Sequence, residues 1–246
     1  MKVVVIIPAA GLGTRMTSAA KGKRLAPSKQ FTEINGVPIL VHTVRKFVAI
    51  PQVTDIYVAL RQPEMAQTEE RLKKEVAGKR LHVVEGGEHR QESVANALRA
   101  VAAAPDDIVL VHDAVRPFVD ADIIGSVIAA AQKYGAAIAG LPATDTVKQV
   151  ERTAEGAIVT STIPRERVVM AQTPQGFRYE VLKKVFDEAQ ADGFTGTDEA
   201  SLAERAGREV AVVMGSARNI KITTPADMEL AELFMSQDSR RKALTG

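Results

Sequence analysis

A chain of 246 residues, 46% hydrophobic and 25% charged, can bury one substantial core, and a single main domain is expected over residues 1–236. Without cysteine it can have no disulfide framework, thiolate zinc site or cysteine nucleophile; a net charge of +2 and 4% aromatic residues argue against a nucleic-acid partner. The opening apolar run from Met1 to Ala10 is too short to span a membrane, and no transit segment precedes it, so the expectation is a cytoplasmic protein with no membrane partner.

Short β-branched runs alternate with longer amphipathic stretches, the pattern of stacked βαβ units. Strands are predicted over 3–7, 55–60, 81–85, 108–112, 136–141 and 209–214, mostly apolar throughout, as strands covered on both faces must be. Helices are predicted over 38–49, 63–77, 91–103, 121–133, 179–191, 198–206 and 225–235, with Pro38 and Pro225 in first turns. The expected fold is α/β: a Rossmann-like, mostly parallel sheet with helices on both faces. One segment departs from the rhythm: 144–150 and 157–162 alternate like strands around a polar, glycine-containing turn. This is an inserted β-hairpin arm over about 144–164. A lone two-stranded hairpin is marginal, so it needs support from its own chain or from a second subunit. Residues 237–246 read as a polar tail that frays.

The first strand runs into Pro8-Ala9-Ala10-Gly11-Leu12-Gly13-Thr14-Arg15-Met16, a small-residue turn where open α/β sheets place ligands. Its backbone N–H groups can approach an anion closely, and Arg15 adds a fork of donors matched to phosphate oxygens. A dinucleotide fingerprint would need glycine where Met16 stands, and a P-loop would need Gly-Lys-Ser/Thr, so both are disfavoured. Arg15 and Lys29 are the leading phosphate cations, while Lys21, Lys23 and Arg24 read as a solvated basic loop.

Pro-Ala-Ala-Gly-x-Gly-x-Arg-Met followed by Lys29-Gln30-Phe31 resembles the nucleotidyltransferases that activate sugars and polyol phosphates. Gly86-Gly87-Glu88-His89-Arg90-Gln91-Glu92-Ser93-Val94, His112-Asp113-Ala114-Val115-Arg116-Pro117, Asp145-Thr146-Val147-Lys148, Thr173-Pro174-Gln175, Thr197-Asp198-Glu199-Ala200-Ser201 and Asn219-Ile220-Lys221-Ile222-Thr223 follow in order. Together these are similar to the methylerythritol phosphate cytidylyltransferase family, whose close relatives act on ribitol phosphate. The resemblance spans Val3 to about Phe234. The loop between Met16 and Lys29 is longer than is common there, and Glu88 stands where aspartate is frequent.

The resemblance implies CTP and a polyol phosphate as substrates. It implies a CTP subsite of Pro8, Ala9, Ala10, Gly11, Gly13, Gly87, Glu88, Ser93, Asp113 and Ala114. The acceptor would meet Asp113, Arg116, Thr146, Arg165, Thr173, Thr197 and Lys221, with Thr146 and Arg165 reaching it from the neighbouring subunit of a homodimer built through the arm. Arg15, Lys29 and Lys221 would carry catalysis. Asp113 is the best single carboxylate for magnesium, which often uses one carboxylate plus substrate phosphates, although an aspartate after a strand also serves as a helix cap. His112 reads as a packed strand residue, and no histidine is assigned a catalytic role. Asp198 and Glu199 read as the acidic first turn of a helix that Thr197 caps. A pentitol phosphate acceptor and a CTP-binding scaffold without turnover are the competing readings.

Overall fold

The computed structural model describes residues 1–11, 28–75 and 79–245, with side chains described to 241. In chain order the elements are β1 (Val3–Pro8), a 3-10 turn (Lys29–Phe31), β2 (Glu33–Ile34), β3 (Val37–Pro38), α1 (Ile39–Val48), β4 (Val53–Leu60), α2 (Gln62–Lys73) and β5 (Arg80–Glu85). There follow α3 (Arg90–Ala100), β6 (Ile108–Val111), α4 (Ala121–Tyr134), β7 (Ala136–Pro142), β8 (Val147–Thr153) and β9 (Gly156–Ile163). The chain closes with β10 (Val169–Arg178), α5 (Tyr179–Ala191), α6 (Glu199–Arg205), β11 (Ala211–Met214) and α7 (Pro225–Thr245).

Among the described residues, seven strands form one sheet in the order β11-β7-β10-β6-β1-β4-β5. All neighbours pair in parallel except β10, which runs antiparallel to both β6 and β7. The strand period of two explains why β1 is apolar at every step. Val3, Val5 and Ile7 pack with residues of α1 and α4 on one face, whereas Val4 and Ile6 pack with α3, α5 and α6 on the other. Full burial of side chains such as Phe47 and Phe177 contributes about 1.5–3 kcal/mol each. The expected doubly covered α/β sheet is therefore present, and every predicted strand and helix has a counterpart. Among the described residues no helix is long and apolar enough to cross a membrane.

Three features differ from the sequence reading. β10 was not among the predicted strands; it contains Pro174 and Gly176, residues that local strand propensity disfavours. The pairing register with β7 shifts between Ala171 and Gln175, and that irregularity accommodates a proline inside a central strand. Gly176 is needed there because a Cβ would press on Val127 and Leu110. Second, α7 continues through the segment read as a fraying tail. Arg218 holds its last turns through Asp238 at 2.8 Å and Gln237 at 3.0 Å, and the Ser239 hydroxyl donates to the Met235 carbonyl. Third, Pro38 lies just before α1 with extended backbone rather than within its first turn.

The arm forms as expected: β8 and β9 pair only with each other, apart from the main sheet. Val150, Ile158 and Val159 on it are exposed.

Candidate active site

The parallel strands β1, β5 and β6 end on the same edge of the sheet, and the loops leaving them enclose a cleft of about 200 Å³. Pro8, Ala9, Ala10 and Gly11 form one wall and Gly87, Glu88 and Ser93 a second, while Asp113, Ala114, Lys29, Arg90 and Lys221 are among the residues that complete the lining. These are the described residues predicted for the CTP subsite, together with two of the three predicted catalytic cations. Gly13 and Arg15, like Lys21, Lys23 and Arg24, lie outside the described residues.

The first wall is held from behind. Ala9 N–H donates to the Ala59 carbonyl at 2.8 Å, and the buried Gln30 side chain donates to the Ala9 carbonyl at 2.6 Å. Both backbone groups of Ala9 are thus committed, so this residue offers the cleft its small side chain. Gly86, not singled out in the sequence reading, sets the opposite wall: a Cβ there would press on the Ala10 methyl and lie 3.0 Å from Ser93 Oγ. Ser93 shapes the turn, its hydroxyl accepting from Gly87 N at 3.1 Å and donating to the His89 carbonyl at 3.1 Å. Glu92 accepts from Glu88 N at 2.8 Å, so the side chain of Glu88 stays at the surface while its backbone is fixed.

Asp113 follows β6 and is buried, with both carboxylate oxygens engaged by cations. Oδ1 lies 3.1 Å from Arg90 Nε; Oδ2 lies 2.7 Å from Lys221 Nζ and 3.6 Å from Arg116 Nε. Burial alone would raise this carboxyl, but Arg90, Lys221 and Arg116 outweigh it and hold it well below the usual carboxylate range. Asp113 is therefore an ionised floor of the cleft and not a helix cap. Arg116 is drawn below the usual arginine value by burial, against the pull of Asp113, and donates to the Asn219 carbonyl at 2.6 Å. Burial pushes His112 down to about 4. Its ring nitrogens sit 3.0 Å from the Arg116 carbonyl and 3.1 Å from the Thr173 hydroxyl. It is a neutral, packed residue, as the sequence reading has it.

A second cleft of about 190 Å³ opens on the other side of Asp113, toward β10 and the start of α6. Arg116, Thr173 and Thr197 line it, as predicted for the acceptor subsite. Thr173 is also structural, since its hydroxyl accepts from Asp113 N at 3.1 Å. Asp198, not Thr197, caps α6: its carboxylate accepts from Ser201 N at 2.9 Å, and Gln175 donates to it at 2.7 Å. That leaves the exposed Thr197 side chain facing the cleft. Asp113, Arg90 and Lys221 line both clefts, so the two meet at these side chains. Thr146 and Arg165 line neither. Both are exposed near the base of the arm, where Arg165 donates to the Thr144 carbonyl at 2.9 Å.

A family model for 2-C-methyl-D-erythritol 4-phosphate cytidylyltransferase matches residues 3–237. The chain belongs to that family. A member from Acidobacterium capsulatum is 55% identical over 241 residues, 98% of this chain and 100% of its own length. Another, from Solibacter usitatus, is 53% identical over 246 residues, covering 100% of both. The fold is similar to the crystal structure of the Francisella tularensis member, with TM-score 0.77, 35% identity and coverage of 95% and 99% of the two chains. A 4-diphosphocytidyl-2C-methyl-D-erythritol synthase from Anaerococcus prevotii gives TM-score 0.79 at 28% identity, over 96% and 98%.

The principal residues the sequence reading passed over are Arg90 and Glu199. Glu199 is 1% exposed and takes both terminal nitrogens of Arg90, at 2.7 and 3.0 Å. Burial raises the Glu199 carboxyl against the pull of Arg90. Glu-x-x-Arg spacing could not have revealed the pair, because the partners are 109 residues apart.

Proposed function

We propose that this chain transfers a cytidylyl group from CTP to 2-C-methyl-D-erythritol 4-phosphate, giving 4-diphosphocytidyl-2-C-methyl-D-erythritol and pyrophosphate, a step of isoprenoid precursor biosynthesis. Membership of the family supports the reaction. The observation that carries it is the meeting of two clefts at Asp113, Arg90 and Lys221, the arrangement needed to bring two phosphate-bearing substrates together. The first cleft would take CTP, with the glycine loop and Lys29 along the phosphates and the Gly87–Ser93 turn against cytosine. The second would take the polyol phosphate.

An oxygen of the acceptor phosphate attacks the α-phosphorus of CTP; the bond to the bridging oxygen breaks and pyrophosphate carries away the electron pair. A phosphate monoester has its second ionisation near pKa ~6, so the nucleophile is already anionic and no general base is required. This agrees with a neutral, fully engaged His112. The protein supplies alignment and positive charge, from Arg15, Lys29 and Lys221.

A divalent cation fits the donor set. Asp113 is held ionised, and magnesium commonly takes one carboxylate beside substrate phosphate oxygens. Among the described residues no group of three or more histidines or carboxylates forms a cage, so Asp113 would be its protein ligand. When bound, magnesium offsets the charge of the triphosphate and its leaving group.

The proposal includes a homodimer and a cytoplasmic setting where CTP is available. Thr146 and Arg165, near the base of the arm, line neither cleft of their own chain, and Val150, Ile158, Val159, Met170 and Met214 are exposed. Such apolar surface calls for a partner, and a two-fold dimer is the simplest closed assembly. Analytical ultracentrifugation at assay concentrations is expected to give a dimer; a fully active monomer rules this out.

The reaction is tested by pyrophosphate release from CTP and magnesium, offering 2-C-methyl-D-erythritol 4-phosphate and D-ribitol 5-phosphate separately, with UTP and ATP as controls. Turnover is expected with CTP and the branched tetritol phosphate. Preference for ribitol phosphate would move the acceptor, and no release with either would leave a CTP-binding protein.

A further inference from the structure

Glu199 lines neither cleft, yet it is buried against Arg90, which lines both. Its two oxygens accept a parallel pair of bonds from Arg90 Nη1 and Nη2, at 2.7 and 3.0 Å. This geometry uses the guanidinium fork and leaves Nε, which points to Asp113 Oδ1 at 3.1 Å. Arg90 therefore touches Asp113 with one donor only. The other Asp113 oxygen is left to Lys221, at 2.7 Å.

An arginine released from such a clamp has five donors and a planar shape matched to any carboxylate in reach. Asp113 is already within bonding distance. A free Arg90 fork would close on both Asp113 oxygens and take the one that orients Lys221. We propose that Glu199 is a positioning residue: by occupying the Arg90 fork, it keeps one oxygen of Asp113 available to Lys221 and to the cation that accompanies CTP. The inference rests on the cytidylyl-transfer reading given above. The competing role is a plain strut, since Arg90 opens α3 and Glu199 opens α6, and their bond ties the two helices together.

Glu199→Gln tests it, because glutamine keeps the shape but offers one acceptor oxygen in place of two. Loss of an outer partner of this kind costs about 10–100-fold in activity, and that fall is expected in kcat. The KM for CTP is expected to rise with it, because the cation that accompanies CTP loses its held carboxylate oxygen although the cytosine wall is untouched. Adding Arg90→Lys to Glu199→Gln removes the fork that captures both Asp113 oxygens while keeping a positive charge beside it, so part of the lost kcat should return, whereas a strut would not be rescued by altering its other half. Circular dichroism confirms folding, and calorimetric titration of CTP with magnesium, without acceptor, reads the nucleotide site independently of turnover; it should show weakened binding in Glu199→Gln and recovery in the double variant. Should Glu199→Gln not fold, Glu199→Asp keeps the charge but is one methylene too short to fill the Arg90 fork, and the same fall in kcat is expected. Wild-type kcat in Glu199→Gln or in Glu199→Asp, or a double variant no faster than Glu199→Gln, overturns the proposal. Pyrophosphate release by the wild-type enzyme tests the underlying reaction separately.

Discussion

Replacing Lys221 with alanine is expected to slow pyrophosphate release by about two to three orders of magnitude, the usual cost of removing one preorganised donor to transition-state charge. Lys221 lines both clefts, and in the proposed reaction its ammonium would turn from Asp113 to the oxygens of the phosphoryl group being transferred. The fold should survive, because Asp113 keeps Arg90 and Arg116 as counter-charges. Lys29→Ala and Arg15→Ala should fall by a similar factor, since each is assigned charge that gathers only as the leaving group departs. Under the proposed reading the Gly87–Ser93 turn would still hold the base in all three variants. The loss is therefore expected mainly in kcat, with a smaller rise in the KM for CTP. Steady-state kinetics on the three purified proteins decides this, and near-normal kcat in any of them removes that residue from the catalytic set.

Part of the candidate cleft was legible from local signals, and the rest was named only through the resemblance to a family. A strand ending in Pro-Ala-Ala-Gly announces a close-approach loop from residue size alone, and an aspartate after an apolar strand marks a ligand-bearing sheet edge. What stayed hidden depends on long-range pairing. Arg90 stands one residue before a predicted helix with no role assigned to it, and Glu199 reads as first-turn acidity. Only the fold reveals that both are buried against each other. Strand β10 was hidden for a different reason. Its proline and glycine are penalised by local propensity, but tertiary packing between β6 and β7 overrides that penalty. The helical continuation of α7 past Ser236 was not legible, because the stretch is polar and the Arg218 contacts to Gln237 and Asp238 come from another part of the chain.

Asp113→Asn is expected to damage both stability and turnover, and the two losses should respond differently to CTP. The substitution leaves Arg116 and Lys221 without their shared counter-ion, while Arg90 still has Glu199. Breaking a buried ion pair costs about 3–5 kcal/mol, and the half-exposure of Lys221 puts this case near the lower end, about 3 kcal/mol. For a chain of this size that corresponds to a fall of roughly 6–12 °C in melting temperature. CTP brings phosphate oxygens to the same cations, so it should narrow the difference in melting temperature between variant and wild type. Turnover should not recover with it. Asparagine cannot supply the charged ligand for magnesium or hold Lys221 at the junction, so kcat should remain about 100-fold or more below wild type. Differential scanning fluorimetry with and without CTP, run beside the pyrophosphate assay, separates the effects. An unchanged melting temperature together with unchanged turnover would remove Asp113 from the centre of the site.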